Sequence, residues 1–149
     1  MTLRWLLASL HLLTLPLGLG AVWARNRALT SARTNQDLKR VFLADNLWAL
    51  AAALWIATGL WRVFSGLEKG SSYYLNNRVF YTKMGLLLLI LLLEIWPIVT
   101  LIRWRSAVGR GVTVDLAPAG GLARTSRIQA ALVVLMVFAA TAMARGFFY

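Results

Sequence analysis

Five side chains that can carry charge or bind a metal lie within otherwise apolar stretches of this sequence. They are His11, Asp45, Lys83, Glu94 and, at the edge of its stretch, Arg62. A charge at the centre of a membrane helix costs about 2.5–3.5 kcal/mol on insertion scales. Each of these residues should therefore have a partner or take part in chemistry. Imidazole ligates metals and moves protons, carboxylates carry protons or ions, and basic side chains bind anionic groups.

His11, the single histidine of the chain, is the leading candidate for a cofactor or metal ligand. It lies about eight residues, or ~12 Å at 1.5 Å per residue, below the outer start of its apolar segment. Lys83 begins the third apolar segment from the same side, so we expect the two residues to share a site in the outer half of the membrane. Other side chains at similar depth complete the predicted lining: Trp55, Gly59, Arg62, Met84 and Met143. The alternatives are a neutral histidine bonded to a neighbouring helix and a lysine that snorkels to the surface.

Two carboxylates lie nearer the other side of the membrane. Glu94 follows Lys83 by eleven residues, which places both on one side of a helix. Either a structural hydrogen bond or a path for protons or ions is open to Glu94. Asp45 opens the second apolar segment, where it is expected to cap the helix or form an ion pair. Its candidate partners are Arg25, Arg27 and Arg103.

Four apolar segments must position these side chains. They cover residues 3–24, 41–64, 80–102 and 127–148, and about 20 helical residues suffice to cross a hydrocarbon core. Isolated strands would leave backbone groups unpaired in lipid, and the continuous apolar run at 86–93 lacks the alternation of a barrel strand. The sequence therefore predicts an all-α fold, an integral membrane four-helix bundle that forms one domain over residues 1–149.

The composition favours a membrane protein over a soluble one. Of the 149 residues, 60% are hydrophobic, and the mean hydropathy is +0.68, which is more apolar material than the core of a small soluble domain can hold. The chain has no cysteine, which excludes disulfides and thiolate metal sites. Its formal net charge is +11. Since the basic residues flank apolar segments, we expect lipid headgroups and not nucleic acid to be their partners.

The distribution of Lys and Arg predicts the topology. The first and third loops carry most of the basic residues, whereas the second carries Lys69 and Arg78. The positive-inside rule then places loops one and three in the cytoplasm and both termini outside, in the periplasm of a bacterium. The basic residues of the two cytoplasmic loops are Arg25, Arg27, Arg33, Lys39, Arg40, Arg103, Arg105, Arg110 and Arg124.

Nearly the whole chain resembles a small family of bacterial membrane proteins whose function is unknown. The resemblance rests on the strings LRWLLASLHLLTLPLGLGAVWAR, FLADNLWALAAALWIATGLWR, FYTKMGLLLLILLLEIWPIVTLIRWR and QAALVVLMVFAATAMARG. It implies a multi-pass protein of the bacterial inner membrane, and it implies no activity.

A second resemblance does imply chemistry. Trp5 and the LHL run at 10–12, together with the KMGLL run at 83–87, are similar to the four-helix membrane protoporphyrinogen oxidase. They are similar, more loosely, to the copper-resistance membrane protein D. In the oxidase family a histidine of helix one and a lysine of helix three are required, and a b-type haem is bound. The resemblance implies these roles for His11 and Lys83.

Three functions are compatible with these observations, and the sequence leaves open whether the protein is an enzyme. The first is a redox protein that binds haem through His11, with Lys83, a methionine or a second chain completing the iron ligands. A lone histidine excludes bis-histidine ligation within one chain. The second is a structural or accessory subunit of a larger membrane complex. The third is transport of protons or of a metal ion through Glu94 and Asp45, with His11 and methionines as further ligands if the ion is copper. A homodimer is compatible with each of these functions.

Overall fold

The protein is a set of four long α-helices in a computed structural model. The structure describes residues 2–65 and 76–145, and within these ranges it contains no strand. The helices are α1 (Thr2–Ser31), α2 (Leu38–Phe64), α3 (Arg78–Gly109) and α4 (Ala119–Ala144). Each is long and apolar enough to cross a membrane. The predicted all-α class is confirmed, while Lys69 and the predicted end of the fourth helix at residue 148 lie outside the described residues.

All four helices differ from the apolar segments at the basic end of the bundle. α1 continues past residue 24 to Ser31, and α3 continues past residue 102 to Gly109. The other two helices begin earlier than predicted, at Leu38 instead of 41 and at Ala119 instead of 127. Apolar side chains identify only the part of a helix that crosses hydrocarbon. The backbone hydrogen bonds continue through charged residues where the helix enters the headgroup region.

The helix ends are set by local side-chain and backbone chemistry. The Oδ1 of Asn77 accepts the backbone N–H of Val79 at 2.8 Å and caps α3. Gly111, with φ of 73°, turns the chain after α3 in a conformation that favours glycine. Before α2, the Asp37 carboxylate accepts the backbone N–H groups of Arg33 and Thr34. These hydrogen bonds lower the pKa of Asp37 below its ordinary value.

The helices pack in the order α2, α1, α4, α3. α1 contacts α2 and α4 along its length, and α4 contacts α3. The backbones of α2 and α3 lie further from each other than those of the other neighbouring helices, and only side chains connect these two helices. The core at the basic end, which closes the bundle there, consists of Leu29, Ala32, Leu38, Val41, Leu101, Trp104, Val114, Ala119, Leu122 and Ala123.

The outward faces of the helices are apolar. Leu13, Leu92 and Phe138 are 66%, 56% and 67% exposed, and many other large apolar residues share this orientation. Exposing so many apolar side chains to water is unfavourable, whereas contact with lipid tails is not. The bundle is therefore built to contact a bilayer.

Candidate functional site

A cavity of about 230 Å³ lies between α2 and α3 at the end of the bundle away from the basic loops. It includes every residue that the sequence predicted for a shared outer site: His11, Trp55, Gly59, Arg62, Lys83, Met84 and Met143. The remaining lining residues are apolar, among them Ile56, Phe80 and Leu87. The fold thus brings the predicted group together from all four helices.

His11 is 6% exposed and is held in one orientation. The hydroxyl oxygen of Thr58 lies 2.8 Å from Nδ1 of His11 and 2.7 Å from the carbonyl oxygen of Leu54. In the tautomer with its proton on Nδ1, His11 donates to Thr58, Thr58 donates to Leu54, and the lone pair of the ring is on Nε2. Metal-ligating histidines are oriented in the same way, by a hydrogen bond to the nitrogen that does not bind the metal.

Trp55 forms the flat wall beside His11. The two rings stack with centroids 5.4 Å apart and an interplanar angle of 15°, and the Lys83 ammonium lies 5.3 Å from the indole centroid in a cation–π contact. A Cβ at Gly59 would lie 3.3 Å from His11 Cε1, so the imidazole would have to shift by a few tenths of an ångström. The absence of a side chain at residue 59 therefore lets the imidazole keep its position.

The indole N–H of Trp55 is a buried donor that has no acceptor among the described residues. Buried donors in native proteins are nearly always paired, and an exception calls for a physical reason. Trp55 lines the outer cavity and also a second cavity of about 60 Å³ that continues towards the basic end. A ligand with an acceptor oxygen would satisfy this donor.

The second cavity ends at a cluster of buried polar side chains centred on Arg25. The Arg25 guanidinium donates to both carboxylate oxygens of Glu94 at 2.6 and 2.9 Å and to Asp45 Oδ1 at 2.8 Å. It also donates to Gln129 Oε1 at 2.8 Å and to Ser126 Oγ at 3.0 Å. Its side chain is fully buried. One arginine therefore links all four helices.

The carboxylates of this cluster are fully engaged. Glu94 also accepts from Trp48 Nε1 at 3.1 Å and from Gln129 Nε2 at 2.6 Å. The second oxygen of Asp45 accepts from Arg105 at 2.8 Å. Two arginines thus balance two carboxylates, and bidentate geometry with satisfied lone pairs is what allows charges to be buried.

These contacts revise the expectations for the inner residues. Asp45 does not cap α2, because the helix begins at Leu38. It pairs with Arg25, one of its three predicted partners, and with Arg105, which was not among them. Glu94 forms structural hydrogen bonds, one of the two alternatives that the sequence left open.

The sequence names Arg25 as a possible partner of Asp45 but does not place it in a buried cluster, and Ser126 and Gln129 were missed. Arg25 was assigned to a loop because the apolar segment ends at residue 24, and no ionisable residue drew attention to the fourth helix. A signal was present in α1, where the buried residues Val22, Arg25 and Leu29 recur at helical spacing. In the fourth helix, Gln129 is the amide side chain near the start of an apolar run.

The candidate chemistry of the outer site rests on a single imidazole. Among residues 2–65 and 76–145, no group of three or more His, Cys, Asp or Glu side chains is placed to hold a metal ion. An imidazole can still bind a metal that a larger organic group already holds.

Comparisons with known proteins identify a family but no activity. A family model described as "Predicted membrane protein (DUF2214)" matches residues 3–147, which confirms the resemblance to membrane proteins of unknown function. No curated protein and no solved structure matches the chain. The similarity to the oxidase and to the copper-resistance protein stays a prediction.

Proposed function

Starting from the fact that the chain belongs to the DUF2214 family of membrane proteins, we propose that it binds a b-type haem or a similar porphyrin in the outer cavity, with His11 as the axial ligand. The observation that carries this proposal is the oriented imidazole on the wall of an apolar cavity. The Thr58 hydroxyl lies 2.8 Å from Nδ1 and fixes the orientation of the ring, and we assign Nε2 as the ligating atom.

The chemical character of the cavity suits a flat, largely apolar group with carboxylate arms. Trp55 supplies a planar wall and an indole N–H that has no acceptor in the described part of the chain. Lys83 and Arg62 line the same cavity and supply positive charge. We assign Lys83 and Trp55 to the propionates or other oxygen atoms of the ligand, in agreement with the pairing of carboxylates with cations and N–H donors.

The methionines could help to hold the same group. Met84 and Met143 both line the cavity, and a thioether together with a histidine is an established ligand pair for haem iron. Lys83 and a second chain are the other sources of a further iron ligand. Bound haem would supply one-electron redox chemistry, and the protein would supply orientation and exclusion of water.

The cavity between α2 and α3 is smaller than a typical ligand pocket. Its volume of about 230 Å³ is below the roughly 300–1,000 Å³ of typical ligand pockets. A haem would therefore extend beyond this volume through the open side of the cavity.

The buried cluster argues against the transport alternative. A residue that carries protons or ions must change its partners, whereas the Glu94 carboxylate is bonded to Arg25, Trp48 and Gln129 at once. We therefore assign this cluster to stability and not to conduction. The accessory-subunit alternative requires no ligand. The visible spectrum described next distinguishes it from the haem proposal.

The test is the visible spectrum of the protein purified in detergent from haem-replete cells. We expect a Soret band in the wild type and its loss in His11→Ala. Thr14→Ala is the matched control, since Thr14 is also buried on α1 but bonds only the backbone carbonyl of His11. A colourless wild-type protein, or an unchanged Soret band in His11→Ala, would contradict the proposal.

A further inference from the structure

A third concave surface lies at the basic end of the bundle, between α1 and α4. It encloses about 700 Å³ and is separate from both cavities between α2 and α3. Three arginines line it, Arg33, Arg124 and Arg127, and no acidic residue does. Its floor is apolar and is formed by Leu29, Ala32, Leu116, Ala119 and Ala123.

None of these three arginines forms an ion pair with a carboxylate in the described part of the chain. The ion pairs among the described residues join Arg25 and Arg105 to Asp45 and Glu94. The remaining described acids bond backbone groups nearby: Asp37 bonds the N–H groups of residues 33 and 34, and Asp115 bonds that of Ala117. The pocket therefore concentrates positive charge.

The arginines are also placed to act together. Arg124 and Arg127 are three residues apart on α4 and so lie on one face of the helix. Arg33, just after α1, donates to the carbonyls of Thr30 and Ala32 at 3.3 and 2.9 Å. These bonds hold its guanidinium at the rim of the pocket.

The start of α4 adds a partial positive charge to the same pocket. Its first residues, Ala119 and Gly120, line the wall, and Pro118 before them provides no side-chain cap. The backbone N–H of Ala119 already donates to the carbonyl of Leu116 at 2.9 Å, so the helix contributes the positive end of its dipole beside the three arginines.

From this combination we propose that the pocket is a specific binding site for a phosphate group. Arginine is the preferred partner of phosphate because its planar fork donates two parallel hydrogen bonds. The apolar floor suits a phosphate attached to a lipid at the membrane surface, and a soluble phosphate is the other possible source. The site differs from the general attraction of basic loops to anionic lipid, because it is concave and holds one phosphate group.

The test compares two full-length variants with the same net charge. In the first, Arg33→Gln, Arg124→Gln and Arg127→Gln remove the three arginines of the pocket. In the second, Arg40→Gln, Arg103→Gln and Arg110→Gln remove three exposed arginines that do not line it. Thermal unfolding in detergent verifies that both variants fold.

Two probes identify the source of the phosphate. Native mass spectrometry measures retention of phosphatidylglycerol after incubation with mixed micelles, and calorimetry measures binding of inorganic phosphate. We expect one probe to bind the wild type and the control variant at one equivalent, and the pocket variant to bind it about tenfold more weakly or worse. Retained lipid assigns the site to a headgroup, and phosphate binding without retained lipid assigns it to a soluble ligand.

Equal weakening in the two triple variants would show diffuse electrostatic attraction and would overturn the proposal. Absence of binding by both probes would overturn it as well. If the pocket variant does not fold, the single variants Arg124→Gln and Arg127→Gln decide instead. Each should weaken binding, and Arg103→Gln should not. Unchanged binding in both single variants would overturn the proposal.

Discussion

At the scale of single residues, the outer site depends on how His11 is held. Thr58 bonds one ring nitrogen, Trp55 stacks on the ring, and Gly59 leaves room beside Cε1. The sequence predicted that His11, Trp55 and Gly59 lie together, since their positions follow from helical spacing and depth. It did not predict Thr58 as the hydrogen-bond partner, because a threonine in an apolar helix usually bonds its own backbone.

Replacing Thr58 by valine tests this orientation without removing the ligand. The change preserves shape but removes the hydroxyl that bonds Nδ1 of His11. Because groups that orient a ligating histidine contribute about 10–100-fold to metal affinity, we expect haem to be retained more weakly, with the Soret band still present at saturation. Haemin titration measures the affinity. Thr14→Val is the matched control, and equal affinities in the two variants would show that Thr58 does not position His11.

The Arg25 cluster makes a second prediction at this scale. Glu94→Leu leaves a fully buried guanidinium with Asp45 as its remaining carboxylate partner. Removing one member of a buried ion pair costs about 3–5 kcal/mol, whereas replacing both members by apolar residues costs much less. We therefore expect Arg25→Leu combined with Glu94→Leu to lower the unfolding free energy by less than the sum of the two single changes. Denaturation in mixed micelles measures it, and strictly additive losses would contradict the contacts described.

At the scale of elements, the apolar segments predict the existence and order of the helices but not their ends. The turns of α1 and α3 that extend beyond the hydrocarbon carry charged residues. In the sequence, these charges predict a loop and not a helix. This is why Arg25 was placed outside the membrane-spanning part. Helix pairing could not be predicted either, because it depends on small residues that let the backbones of two helices approach.

Gly121 is such a position, between α4 and α3. A Cβ there would lie 2.5 Å from the ring of Trp96, whereas a Cβ at Gly120 meets nothing within 4 Å. Ala is favoured over Gly within a helix by about 0.5–1 kcal/mol, so Gly120→Ala, one residue earlier on the same helix, should raise stability slightly. Gly121→Ala gains the same term but pushes the half-exposed indole of Trp96 outwards, so we expect it to be less stable than Gly120→Ala by about 1 kcal/mol. Thermal unfolding of the two variants compares them directly, and equal stabilities would argue against this close approach.

At the scale of the whole molecule, the two ends of the bundle differ in charge and in the cavity that each contains. The cavity with His11 and Lys83 lies at one end, and the arginine pocket lies at the other, with the Arg25 cluster between them. The composition predicted a membrane protein, and the family match and the four helices confirm it. The orientation in the membrane rests on the positive-inside rule and is a prediction.

Cysteine labelling tests the orientation cleanly, because the chain has no cysteine of its own. Gln36→Cys in the loop before α2 should react with a membrane-impermeant maleimide only after the cells are permeabilised. Asn76→Cys before α3 should react in intact cells with a permeable outer membrane. The opposite pattern would reverse the topology and would place the arginine pocket outside.

The most direct test of the central claim is a haemin titration of purified, haem-free protein in lipid nanodiscs. We predict that the wild type saturates at one equivalent with a sharp, red-shifted Soret band. We predict that His11→Ala gives the broad spectrum of haemin dissolved in lipid. Identical titrations for the two proteins, or no saturable binding by the wild type, would contradict the assignment of His11 as an axial ligand.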